Sequence, residues 1–275
     1  MVHHSLFTLL TGLRLLLGGV TPLALVGVAP AGAQVGAQVG AQVGAQVGAP
    51  VGERGALGQP LEELARRAME ADRFLGAELV CPITRDGTPV GEHRVTFRRD
   101  GELLRVHARS SITVTLAFIP VYRLDYDSRS VWRNGLLDSL SAHTDDNGKE
   151  TRVEVSRNAE GALVSKVGGE WAPRKGAVYP TNHWNPAVLG SEEVLNTISG
   201  EMNRVTLTDF GVETLDAGAG PILAHHFRYG GQLRADVWYD ERNRWVKLAF
   251  DGSDGSRIEY LCDKPRGKKS ALRDE

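Results

Sequence analysis

Gly230–Leu261 reads GGQLRADVWYDERNRWVKLAFDGSDGSRIEYL, and the fold follows from it. Val237 and Tyr239 alternate with Asp236, Trp238 and Asp240. After the polar ERN turn, Val246, Leu248 and Phe250 alternate with Trp245, Lys247 and Ala249. DGSDGS then leads into Ile258, Tyr260 and Cys262, which alternate with Arg257 and Glu259. Period-two patterning punctuated by Gly, Asp and Asn predicts antiparallel strands joined by hairpins.

Working towards the N-terminus, the same pattern recurs at regular spacing. Strands are predicted near 77–84, 90–98, 102–109, 111–118, 120–127, 130–143, 150–157 and 162–167, then 203–208, 210–215 and 221–230. RDGTP, RRDG, ARSS, TDDNG and NAEG supply the turn residues between the first group. Residues 168–200 read as irregular, with a short helix over Ser191–Asn196. About a dozen strands predict a mainly β fold over 77–263: a single antiparallel β-barrel or half-open barrel. One N-terminal amphipathic helix is expected within 57–76, where PLEELARRAMEADRFL has Pro and two Glu in its first turn and Gly76 behind it.

The remainder reads as processing and tether. Residues 1–33 have a weakly basic start, an apolar run from Leu15 to Val28 and a small-x-small Ala31-Gly32-Ala33, the pattern of a cleaved signal peptide. That implies a periplasmic or secreted protein, with an uncleaved anchor as the alternative. Residues 34–56 hold the AQVG repeats, a low-complexity spacer without the apolar residues a core needs. Residues 264–275 form a basic tail. Cleavage would remove Arg14 and no acid, leaving 31 Lys+Arg against 34 Asp+Glu, a net charge of −3. Such a balance does not steer the chain to nucleic acid or an anionic membrane surface.

Cys81 shares a face with Leu79 and Ile83, and Cys262 shares one with Ile258 and Tyr260. They fall on the first and last expected strands. In an exported protein they can pair as a disulfide; two separate buried thiols are the alternative.

Polar and aromatic groups gather in four stretches: Asp125–Asp138, Ala142–Gly148, Pro180–Glu201 and His225-His226. The adjacent pair His225-His226 must point to opposite faces of a strand, so it cannot chelate as a unit. TDDNG is foremost a turn, and no HExxH or calcium-loop spacing occurs, so no metal or other cofactor is assigned. GxSxG and SxxK are also missing, and no catalytic residue is assigned. An extracytoplasmic hydrolase or metal site would centre on His143, Asp145 and His183. The favoured expectation is a container for an apolar small molecule or lipid, with Tyr122, Trp132, His143, His183, Trp184, Asn185 and Trp238 at its wall or mouth. A structural or protein-interaction module on a flexible tether is the third reading.

Five phrases in order carry a family resemblance: GTPVGEHRVTF (87–97), WRNGLLDSLSAHTDDNG (132–148), HWNPAVL (183–189), EVLNTISGE (193–201) and DVWYDERNRWVKLAFDGSDGSRIEYL (236–261). Together they resemble an uncharacterised bacterial family, domain of unknown function 6134, over roughly Ala77 to Leu261. The resemblance implies an exported, β-rich single domain. It supplies no activity and no site residues.

Overall fold

The computed structural model describes residues 58–59, 61–160, 163–167, 170–174, 177–217 and 220–262. The expected leader, AQVG spacer and basic tail lie outside them. Eight strands come first: β1 Glu78–Arg85, β2 Thr88–Asp100, β3 Leu103–Leu116, β4 Ile119–Arg133, β5 Leu136–Asp146, β6 Lys149–Arg157, β7 Leu163–Val167 and β8 Glu170–Arg174. After a 3-10 helix at Pro186–Gly190 follow β9 Glu193–Leu195, β10 Met202–Ala217, β11 Gly220–Gly231, β12 Ala235–Asp240, β13 Trp245–Asp251 and β14 Arg257–Leu261. All fourteen join one antiparallel sheet in the order β8-β7-β6-β5-β4-β3-β2-β1-β14-β13-β12-β11-β10-β9. The first and last strands therefore pair, Ile83 opposite Tyr260, and a Cys81–Cys262 disulfide ties them. The sheet does not close: β8 and β9 are its edges.

The sheet is nonetheless curled. The Tyr126 hydroxyl on β4 donates to Asn182, and the Tyr239 hydroxyl on β12 donates to the carbonyl of the next residue, His183. On a flat sheet β4 and β12 would stand roughly 29 Å apart, six strand spacings. Two consecutive residues can reach both only if the sheet wraps around them. Residues 178–200 thus fill the concave side as a plug. The Trp184 ring lies edge-on to Phe97 on β2 and Trp132 on β4, at 5.4 and 5.2 Å.

Several strands run longer than their local sequence predicts. ARSS at 108–111 is no turn, because Val106, Ala108, Ser110 and Ile112 keep their inward alternation straight through β3. Likewise β10 is continuous, with a bulge between Asp209 and Gly211 where a break is expected. The sheet turns instead at Asn134-Gly135, which divides the expected strand 130–143, so that its first part completes β4. The helix expected at 191–196 is absent; Glu193–Leu195 pairs with β10, and the helical turn lies earlier, at Pro186–Gly190, capped by Asn185 Oδ1 accepting from the Ala187 amide at 3.0 Å. A second bulge, at Val246, shifts the register of β12 on β13 and brings Trp245 inside with Leu248 and Phe250.

The N-terminal helix is broken into α1 (Leu61–Ala68) and α2 (Ala71–Phe74). At the break the Met69 and Glu70 amides bond the carbonyls three residues back. Arg99 of β2 pins the corner: it donates to the Met69 carbonyl and pairs with Asp72 at 2.7 Å. Leu64, Ala65, Ala68, Ala71 and Leu75 form the buried stripe. At the β4–β5 turn, a Cβ on Gly135 would sit 2.6 Å from the Ala65 backbone, so only glycine lets α1 close that end of the half-barrel.

Three two-residue turns, Asp86-Gly87, Asn134-Gly135 and Asn147-Gly148, have positive φ at both positions, as the sheet's twist requires. A fourth, Ala117-Phe118, does so with φ of 46° and 70°. Without Asx or Gly, that conformation costs about 1–2 kcal/mol per residue.

The outer face carries ion pairs on the β2–β6 side and a small second core on the other. There Leu215, Ala217, Ile222 and Ala224 of the β10–β11 hairpin pack with Trp238, Val246 and Ala249.

Candidate functional site

Between the plug and the inner wall lies a cavity of about 100 Å³. Ile112 (β3), Leu124 (β4), Leu248 and Phe250 (β13) and Leu233 (the β11–β12 turn) make its apolar side. His93 (β2), Ser110, Tyr126, Asn182, His183 and Thr197 make its polar side. His93, Val95 and Phe97 share an inward face of β2, so strand alternation carries this imidazole into the interior.

The polar side is only partly satisfied. His93 Nδ1 and Ser110 Oγ are 2.7 Å apart, and the Tyr126 hydroxyl, which donates to Asn182, accepts from Thr197 Oγ1 at 2.8 Å. His183 Nδ1 is buried and has no hydrogen-bond partner among the described residues. Buried polar atoms normally find one; this atom is enclosed by its neighbours rather than open to the cavity. Burial keeps both imidazoles neutral. It pulls His93 down to about 4 and His183 to about 3, the latter pulled further by His93 nearby. Neutral rings can accept or donate one hydrogen bond each, but they present no charge to a ligand.

At the rim an open groove of about 1000 Å³ adjoins the cavity, sharing Arg234, Ala235 and Phe250 with it. Arg228, Arg234, Asp236 and Arg257 line it. Asp236 receives Arg228 and Arg257 at 2.7 and 2.9 Å. Burial alone would raise its carboxyl, but hydrogen bonds from Arg228, Arg257 and His226 outweigh that and hold it below the usual range. Arg234 is exposed and forms no ion pair with a described residue.

The seven residues expected at the wall or mouth separate. His183 lines the cavity, and Tyr122 lies beside it, its hydroxyl donating to Asp146 at 2.8 Å. Trp132 and Trp184 are packed solid in the core. Asn185 caps the 3-10 helix. Trp238 is on the outer face, with His226 stacked on it at 4.3 Å and the Lys247 ammonium 5.0 Å from its ring centre. His143 is outside too, 3.6 Å from Glu150, and Asp145 accepts from the Gly148 amide as a turn residue. The sheet itself stands between His143 and His183, so these residues do not form one centre. Among the described residues no three His, Cys, Asp or Glu side chains converge as a metal site. His225 bonds Asp209 and His226 bonds Asp236, on opposite faces.

Sequence reasoning missed His93, Ser110, Ile112, Leu124, Leu233, Leu248 and Phe250. A signal did exist for the first: a histidine in phase with Val95 and Phe97 on an otherwise apolar strand face. The others look like ordinary core until the plug leaves them partly uncovered.

Fold and cavity together define a half-open, β-barrel-like shell with a plugged interior and a small mouth. The family model for a domain of unknown function, DUF6134, matches residues 82–263, and the chain belongs to that family. A crystal structure of a beta-barrel-like protein of domain of unknown function DUF1849 from Brucella abortus is similar, with 11% identity and a TM-score of 0.48 over 68% of this chain and 95% of that one. No curated protein matches.

Proposed function

We propose that this is an exported binding protein that seats the end of a small apolar or amphipathic ligand in the mouth of its half-barrel. The observation that carries the proposal is the apolar cavity of the half-barrel, with the buried, neutral His183 ring among its lining. At about 100 Å³ it is smaller than the roughly 150 Å³ engineered cavity known to take benzene. It accepts a few carbons, not a whole lipid chain, because Trp132 and Trp184 fill the space deeper in. The remainder of the ligand would lie in the rim groove. There Arg234 offers a cation to a carboxylate or similar head.

Export is supported by the leader pattern and, separately, by the Cys81–Cys262 disulfide, since such bonds persist in oxidising compartments. The chain should be recovered from the periplasm of a bacterial host with its new N-terminus just after Ala33. A cytoplasmic, uncleaved protein refutes the export reading.

Binding is tested with decanoate and decanol by isothermal titration calorimetry on the full chain. Decanoate should bind more tightly than decanol, Arg234→Glu should reverse that order, and Ile112→Trp should abolish both by filling the cavity. Absence of heat with either probe, together with ligand-free protein in native mass spectra from several hosts, overturns the proposal.

A further inference from the structure

The β3–β4 hairpin has a property the cavity does not need. The ladder joins β2 to β3 only as far as Gly91–Ile112, and β5 to β4 only as far as Leu124–Asp146. Residues 113–122 therefore leave the sheet as a two-stranded ribbon, reaching roughly 15 Å beyond it. Ser110–Tyr122, SSITVTLAFIPVY, contains no Asp, Glu, Lys, Arg or His. Apolar side chains crowd its end: Leu116 and Ile119 are a cross-strand pair 60% and 66% exposed, and Phe118 at the apex is 99% exposed. An exposed apolar tip of this kind is a contact surface.

The backbone makes the same point. Among the described residues, the other turns of this geometry use Asp-Gly or Asn-Gly. Here Ala117 and Phe118 hold the left-handed conformation that those residues tolerate and Ala and Phe do not favour. A disfavoured conformation that displays a phenylalanine to solvent points to a role for the side chain.

We infer that the tip inserts into the interfacial layer of a phospholipid bilayer, docking the mouth of the half-barrel on the membrane surface. The base pair of the ribbon, Ile112 and Leu124, also lines the cavity, so the apolar surface runs from tip to mouth. A strand-adding protein partner is disfavoured because Pro120 lacks an edge donor and the bulge between Val114 and Thr115 interrupts the ladder. The ribbon's unpaired outer backbone groups limit it to the interface, since an open edge cannot enter hydrocarbon. Arg123 at the base is paired with Asp125 at 2.5 Å, so attraction to anionic lipid is not the driving force. The inference rests on the hairpin and stands whether or not the cavity binds a ligand.

In the full chain both native cysteines are held in the disulfide, so an F118C variant takes a single nitrobenzoxadiazole label at the tip. With phosphatidylcholine vesicles its emission should shift to the blue and be quenched by doxyl-labelled lipid, equally with or without phosphatidylglycerol. The same label on an E102C variant, at the opposite end of the strands, should stay aqueous. Adding L116S/I119S to the F118C background should lower the partition coefficient roughly tenfold or more, with the circular dichroism spectrum unchanged. Aqueous emission at position 118 with both vesicles overturns the inference. So does equal quenching at both positions, or a blue shift that rises with protein concentration without lipid, which would make a second copy the partner.

Discussion

Lowering the pH from 7.5 to 5.0 should destabilise this protein by about 4 kcal/mol through His93 and His183 alone. Both are buried in the folded protein, with the first at about 4 and the second at about 3, whereas an exposed imidazole titrates near 6.5. Between those values the unfolded chain binds more protons than the folded one, so stability is intact above pH 6.5 and falls as the pH drops through the window. At pH 5.0 each histidine contributes a loss of about 2 kcal/mol, 1.4 kcal/mol for each of roughly one and a half pH units. The result depends little on the folded values, because both lie below pH 5. Urea denaturation followed by tryptophan fluorescence at the two pH values measures it. His93→Gln and His183→Gln, which cannot titrate, should each recover about half of the pH-dependent loss, whatever their stability at pH 7.5. Every other titrating group is shared by wild type and variants and cancels in the comparison. Variants with the same pH-dependent loss as wild type would refute the reasoning.

Replacing both cysteines, Cys81→Ser with Cys262→Ser, releases a link spanning 181 residues. The chain-entropy limit is about 5 kcal/mol, and a loss of about 2–4 kcal/mol is expected in urea, matched by wild type in reductant. Trp132→Ala removes the ring that Trp184 packs against in the core, and should cost about 3–5 kcal/mol with loss of near-ultraviolet dichroism. Asp236→Ala strands His226, Arg228 and Arg257 together; as the two arginines keep part of their exposure, the loss at pH 7 should be about 2 kcal/mol. Because that carboxyl is held below its usual range, its contribution is present above pH 4 and disappears as the pH falls further.

Strand identity was legible wherever alternation and turn chemistry agreed, as in Asp236–Leu261 and at Asn147-Gly148. It failed where polar residues sit in an inward register: Ser110, inside the ARSS read as a turn, and Ser128, in the gap left between two expected strands, are buried within β3 and β4. Glu193–Leu195 looked like a helix start because Ser191 and two glutamates suit a first turn, but pairing with β10 overrode that local preference. The candidate site was less legible still. His183 was singled out from its neighbours, while Trp132 and Trp184, equally conspicuous, proved to be packing. An aromatic side chain reads the same in a sequence whether it lines a space or fills one.

By itself, the sequence determined the class of fold, the hairpins joining β12, β13 and β14 and the inward phase of Cys81 and Cys262, because side-chain alternation and turn residues act over a few positions. Tertiary structure alone decided that the sheet stays open, that residues 178–200 occupy its concave side, and that only about 100 Å³ remains there. Those outcomes depend on curvature and on contacts between residues 50 or more positions apart, such as Tyr126 with Asn182 and Tyr239 with His183. Local pattern carries no record of either.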